Sequence, residues 1–185
     1  MDHYIVGVDL GTKTGISVLY KDTVTVYELK FGSLKVEPTR YKRFWDSTTE
    51  ILSDLPADKP KVYYEYVARH LGTKAAHAYG AYRMILLMAC HDLKIEYEEV
   101  SVQAIKKMAT GKGKVSKEEM IEAASERFHP KWNLSDNEAD SMWIAYLGMS
   151  LLNESFEIIE EPRNIRAIQG DGFIFNDNSW KRKNS

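Results

Sequence analysis

Three runs suited to strands open the chain, Tyr4 to Leu10, Gly15 to Tyr20 and Thr23 to Leu29, and only "GTKTG" and "KDT" divide them. Separators this short can only turn the chain back on itself, because a parallel return needs a dozen or more residues. The three runs are therefore read as an antiparallel meander. Further on, "KVYYEYV" at Lys61 to Val67 reads as a strand, Thr73 to Asp92 as a long helix, and Ile95 to Val100 as another strand. A strand, a helix and a strand in that order form a parallel crossover, so the sheet must be mixed. The expected fold class is α/β: a five-stranded mixed sheet, part meander and part parallel, flanked by helices.

Four more helices follow from apolar spacing: Thr39 to Leu55, Val102 to Thr110, Ser116 to Phe128 and Ser135 to Leu152. With 185 residues, one domain is expected over residues 1–153, and residues 154–185 form a C-terminal extension with a strand at "GFIFN" and an unstructured end at "WKRKNS". The start Met1-Asp2-His3 lacks the basic opening of a signal peptide, and no apolar run reaches the roughly 18 residues of a membrane span, so a cytosolic protein is expected. The one cysteine, Cys90 in "MILLMACH", reads as a small buried hydrophobe. The five histidines are scattered, and His77 and His91 read as helix residues rather than ligands, so any metal would be a hard ion held by oxygen.

Asp9 is the residue out of pattern. It ends a strand that otherwise reads as buried, and an uncompensated buried charge costs several kcal/mol. Strand alternation places Ile5, Gly7 and Asp9 on one face and Val6, Val8 and Leu10 on the other. Glu65 lies near the carboxyl end of its own strand, sharing a face with Tyr63 and Val67. If that strand pairs in parallel with the first, on the side away from the hairpin, Asp9 and Glu65 become neighbours where strand order reverses, the place where open α/β sheets bind ligands.

The late helix "SDNEADSMWIAYLG" adds two more acids. At 100° per residue, Asp136, Asp140, Trp143 and Leu147 fall within about 60° of one another, so both aspartates continue an apolar stripe expected to face the sheet. Asn137 lies about 60° from Asp140, whereas Glu138 points away from Asp136. Ser135 with Glu138 makes a capping box, and Asp136 then has a second reading as a first-turn acid favoured by the helix dipole. Asp9 and Glu65 also have plainer readings, as a turn aspartate and as half of a salt bridge.

Together, Asp9, Glu65, Asp136 and Asp140 favour a shared metal site, since like charges converging in one cleft need a cation to coexist. Oxygen-only ligation with open positions suits Mg²⁺, with Mn²⁺ as a substitute. Two such ions about 4 Å apart can activate a water and stabilise the leaving 3′ oxygen of a phosphodiester.

The net charge of −2 does not favour nucleic acid, but its distribution does. Val100 to Lys117 carries Lys106, Lys107, Lys112, Lys114 and Lys117 and no acid. Glycines let this stretch approach a phosphate backbone, and the lysines supply charge whose grip must weaken with salt. The Walker A pattern GxxxxGK[ST] is absent from it. Arg69, His70 and Lys74 follow Glu65 in a loop that should border the cleft. Tyr66 has two readings, as a residue stacking on an opened base and as core. Ala76 and Gly80, one turn apart, permit close helix contact, either with a second copy or with the chain's own sheet.

The segments "VGVDLGTKTGISV", "YYEYVARHLGTKAAHAYGAYRMIL", "SVQAIKKMATGKGKVSKEEMIEAA" and "NEADSMWIAYLG" resemble, in this order, the RuvC family of Holliday junction resolvases in its short phage-like form, within the RNase H-like superfamily. The resemblance spans about Tyr4 to Leu152. It implies an RNase H-like fold, a homodimer, and Mg²⁺-dependent paired nicking of four-way junctions and other branched DNA. By position, Asp9 and Glu65 match the family's first two catalytic acids and Asp140 its last. The family commonly has another acid three residues before that last one, where this chain has Asn137; Asp136 is the substitute at hand. Lys106 and Lys114 match basic positions that approach DNA.

Two other functions compete. "DLGTKTG" also resembles the first phosphate loop of actin- and sugar-kinase-like ATPases, which usually clamp nucleotide between two such domains, and ATP turnover without DNA would be the mark of that class. The departure at Asn137 also fits a junction-binding module that retains the fold without the chemistry.

Overall fold

A computed structural model describes residues 3–21, 23–31, 37–55, 60–70, 72–128 and 133–154, with the backbone of 163–168, 173–176 and 179–182. The meander forms as expected, from β1 (Ile5–Asp9), β2 (Lys13–Tyr20) and β3 (Thr23–Lys30), followed by α1 (Glu37–Ser53). The strands β4 (Lys61–Tyr66) and β5 (Glu96–Ser101) flank α2 (Thr73–Asp92), and α3 (Val102–Thr110), α4 (Lys117–Phe128) and α5 (Asp136–Leu151) complete the helices. Strand β4 pairs in parallel with β1 on the side away from the hairpin, and β5 in parallel with β4. All five expected strands therefore lie in one mixed sheet.

The sheet has a sixth strand that the sequence reading does not anticipate. Within the C-terminal extension, β6 (Arg163–Ile168) pairs in parallel with β3, and the order becomes β5-β4-β1-β2-β3-β6. The "GFIFN" strand forms as β7 (Phe173–Asn176), but it pairs with β8 (Ser179–Arg182) in a separate ribbon, so part of the expected unstructured end is strand.

Strand alternation divides the core in two. Val6 and Val8 point with Val62 and Tyr64 toward α1 and α2, where Phe44 and Tyr82 meet edge to face at 4.9 Å. Ile5 and Tyr63 point the other way, toward α5, which lies on the sheet beneath α3 and α4. Helix α5 is enclosed on both sides and is apolar almost all round, from Ala139 to Met149. Cys90 is buried as expected, and its burial pushes the thiol up to about 12. Among the described residues no helix is long and apolar enough to cross a membrane.

The expected orientation of α5 needs correction. The line that meets the sheet is not Asp136, Asp140, Trp143 and Leu147 but the neighbouring ridge of Asn137, Ser141, Ala145 and Gly148. Trp143 instead turns toward α4, donating from Nε1 to the Met120 carbonyl at 3.2 Å, and its ring lies 5.2 Å from that of Phe128. The reason is steric. The sheet presents Gly7 and Gly15 to the helix, and the backbone of α5 fills the space that side chains there would occupy.

Candidate active site

The site follows from that close approach. A Cβ on Gly7 would lie 2.2 Å from the Ser141 carbonyl oxygen, and one on Gly15 only 1.9 Å from that of Asn137. Beside the contact, Ser17 Oγ and Ser141 Oγ are 2.6 Å apart, and Ser141 donates onward to the Glu138 carbonyl at 2.8 Å. The first turn of α5 is therefore seated directly on β1 and β2, with Asp140 flanking the ridge. The capping box fixes where the helix starts: Glu138 N–H donates to Ser135 Oγ at 3.3 Å, and Ser135 N–H donates to Glu138 Oε2 at 2.7 Å.

Asp9 ends β1, and its register partner on β2 is Gly15. On the other side, Val8 aligns with Tyr64, so the next residues along, Asp9 and Glu65, sit at the tips of adjacent parallel strands. The β4 tip is pinned by Tyr79 of α2. Its hydroxyl donates to the Glu65 carbonyl at 2.7 Å and accepts from the Val67 N–H at 3.3 Å.

Asp9, Glu65 and Asp140 lie within electrostatic reach of one another. Asp9 is raised well above the ordinary carboxylate range, by burial first and then by Asp140, Glu65 and Asp136. Glu65 is pushed up to about 7 by burial and by Asp140, with Lys106 opposing. Asp140 is pushed up to about 6 by burial and by Asp136, with Lys117 and Lys106 opposing. Each raises its neighbour's pKa because ionising one makes ionising the next costlier. All three remain partly exposed, so the cleft they line is open to solvent.

Asp136 stands apart from these three. Its Oδ2 lies 2.5 Å from Lys117 Nζ, and that contact holds its carboxyl below the usual range. It occupies the first turn of α5, so its helix-start reading holds alongside its influence on Asp9 and Asp140. Among the described residues no three Asp, Glu, His or Cys side chains form a ready-made metal cage. The donor set nevertheless suits a hard divalent cation: carboxylate oxygens only, partly buried, and mutually repelling until a positive charge enters.

Of the residues expected to contact DNA, Lys106 and Lys117 are the ones tied to the acids. Lys106 is half-buried within electrostatic reach of Glu65 and Asp140, and Lys117 is the partner of Asp136. Lys107, Lys112 and Lys114 are exposed, Lys112 lying 3.8 Å from Glu119. Arg69, between β4 and α2, and Lys74, in the first turn of α2, are exposed, and the His70 ring sits 4.8 Å from that of Tyr79. Tyr66 is 43% exposed, which sets aside its reading as a core residue. A separate groove lined by His3, Leu52, Lys61, Leu93 and Ile95 lies at the opposite ends of the parallel strands, away from the acids.

Two structural residues escape the sequence reading. Glu28 is buried on β3, although its place in phase with Val24 and Val26 marks it as an inward position. Tyr79 carries no such signal, since a half-apolar helix residue gives no hint that its hydroxyl closes a strand end.

Comparison with solved structures places the fold. The chain superposes on the Thermus thermophilus RuvC structure with a TM-score of 0.64 at 19% identity, covering 81% of this chain and 96% of that one. It superposes on T. thermophilus RuvC in complex with Holliday junction substrate with a TM-score of 0.65 at 18% identity, covering 81% and 94%. No protein-family model and no curated protein matches the chain. The fold is RuvC-like, within the RNase H-like class.

Proposed function

We propose, with the RuvC-like fold as premise, that this protein is a divalent-metal-dependent endonuclease that nicks four-way DNA junctions and other branched DNA in pairs. The observation that carries the reading is the meeting of Asp9, Glu65 and Asp140, from two strand tips and one helix, each raised by burial and by another carboxylate. Three acids so placed lower their own repulsion by sharing cations. Asp9, Glu65 and Asp140 would hold the metal, with Asp136 as fourth donor once Lys117 yields it. Two Mg²⁺ ions, or Mn²⁺ in their place, supply when bound an activated water and a stabilised leaving oxygen.

The chain's own residues do the rest. Lys106 and Lys117 moderate the charge of the cleft, so that a phosphodiester can approach it. Exposed Lys107, Lys112 and Lys114, with Arg69 and Lys74, hold the flanking phosphates as point charges. Paired cuts need two sites, and α2 supports a second copy: Gly80 is exposed and unobstructed, with Met84 and Met88 beside it at 54% and 50% exposure.

The deciding experiment incubates a labelled four-way junction with Mg²⁺ and compares wild type with Asp9→Asn. Cleavage by wild type alone is expected. Equal cutting by both, or none by either across several metals, overturns the reading. Sedimentation at micromolar concentration tests the dimer, and a monomer there removes the coordinated two-cut scheme.

A further inference from the structure

Glu28 is a buried acid that the cleft chemistry leaves unused. It is 4% exposed on β3, and the ladder aligns Asp9 with Gly15 and Gly15 with Glu28, three positions in a row beneath α5. Since Gly15 has no side chain, the Asn137 backbone drops into the gap between the two acids. Two strand spacings, about 10 Å, separate Asp9 from Glu28, too far for both to grip one ion.

The Glu28 carboxylate has partners on two sides. Lys30 Nζ lies 2.8 Å away, and the side chains of Ser135, the N-cap of α5, and Asn137, in its first turn, act on it as hydrogen-bonding groups. Burial pushes its pKa up, but these donors more than offset that and hold it below the usual range. Asn137 has two amide hydrogens. Besides serving Glu28, its Nδ2 lies 3.3 Å from Asp136 Oδ1, and Asp136 Oδ2 is held by Lys117. One continuous polar chain thus runs Lys30, Glu28, Asn137, Asp136, Lys117, from β3 across the first turn of α5 to α4.

We propose that Glu28 and Asn137 are positioning residues of the acidic cleft, an amide clamp that orients Asp136 and seats the first turn of α5. Position 137 carries an amide because Glu28 already supplies the charge there. An aspartate at 137 has no hydrogen to give to either neighbour and puts a third carboxylate between two others. The departure from the family's acid is then a consequence of Glu28 rather than a lost ligand. The effect on metal binding rests on the function proposed above; the clamp itself does not.

The test measures Mn²⁺ binding to the free protein by calorimetry, side-chain amide exchange of Asn137 by NMR, and the thermal midpoint. Asn137→Asp is expected to weaken Mn²⁺ binding about 10-fold, the scale found when a group orienting a ligand is lost. Asn137→Ala should do the same, and its effect should shrink in an Asp136→Asn background to the share that comes from seating the helix. In a Glu28→Gln background, Asn137→Asp should cost less, because the amide introduced at position 28 can donate to the new carboxylate. The Asn137 amide should exchange slowly in wild type and be released by Glu28→Gln.

Tighter or unchanged Mn²⁺ binding in Asn137→Asp overturns the proposal. So does a Glu28→Gln variant that melts earlier but keeps both its Mn²⁺ affinity and its protected amide, for Glu28 is then merely structural. Wild type that binds Mn²⁺ with this pattern but cuts no junction leaves the clamp standing and sinks the nuclease reading. Wild type that binds no Mn²⁺ sinks the metal site, while a protected amide released by Glu28→Gln still upholds the clamp.

Discussion

Replacing Gly15 with alanine tests whether the cleft depends on how closely α5 sits on the sheet. The new Cβ would lie 1.9 Å from the Asn137 carbonyl oxygen, 2.6 Å from its carbon and 3.0 Å from Ser141 Oγ. The obstacle is backbone at the start of a helix, not the end of a flexible side chain. To relieve the contact even to 3.0 Å, the shortest that real Cβ atoms tolerate, the helix must back off by about 1 Å. Overpacking of this kind typically costs about 1–3 kcal/mol. The larger effect falls on geometry, because Asp136 and Asp140 move with the helix while Asp9 and Glu65 stay with the sheet. A misplacement of about 1 Å can lower a rate about 100-fold. Gly15→Ala should therefore retain its far-ultraviolet circular dichroism, melt several degrees earlier, bind Mn²⁺ more weakly and lose most junction cleavage at 25 °C. A variant that melts earlier yet binds metal and cuts like wild type would refute the idea that the seating of α5 sets the site.

Three further outcomes are expected. Glu65 titrates about 7 in the fold against an ordinary 4.5, and Asp9 and Asp140 are also raised, so the native state holds extra protons. Metal-free stability should then fall from about pH 4.5 to 7, whereas Glu28 and Asp136, whose carboxyls are held low, lose their contribution in stronger acid; saturating Mg²⁺ or Asp9→Asn should flatten the fall above pH 4.5, and a thermal midpoint constant over that range contradicts the coupling. Tyr79→Phe removes a hydroxyl that bonds both Glu65 and Val67, costing about 1 kcal/mol; cleavage should drop more than stability suggests, and full cleavage would show that the β4 tip needs no staple. Replacing Lys112 and Lys114 together with alanine should weaken junction binding for all sequences alike and lower the salt slope by about 1 per lost phosphate contact, with an unchanged slope in a fluorescence titration placing these lysines off the DNA.

Much of the fold is legible in the chain because its signals are local. The short separators force the meander, the strand–helix–strand order forces a parallel crossover, and the capping box marks the start of α5, all read within a few residues of sequence. Strand β6 is less visible: it is an edge partner of β3 across more than 130 residues, and nothing local in "RNIRAI" distinguishes it from a loop. The acids divide the same way. Asp9 and Glu65 could be paired from strand ends and phase, whereas the seat of α5 could not be judged from periodicity, because a helix buried on nearly every side has no single apolar stripe to read.

By itself, the sequence singled out the groups on which the proposed chemistry rests: hard carboxylates at strand tips and on a late helix, and a lysine-rich stretch free of acids. Only the tertiary structure decided how those groups stand to one another. It showed that Asp136 is held by Lys117 while the other three acids oppose each other's ionisation, and that Glu28 and Asn137 meet over a glycine. The physical reason is range: propensity and alternation act between neighbours in the chain, while carboxylate repulsion and helix-to-sheet contact act between residues that only folding brings within a few ångströms.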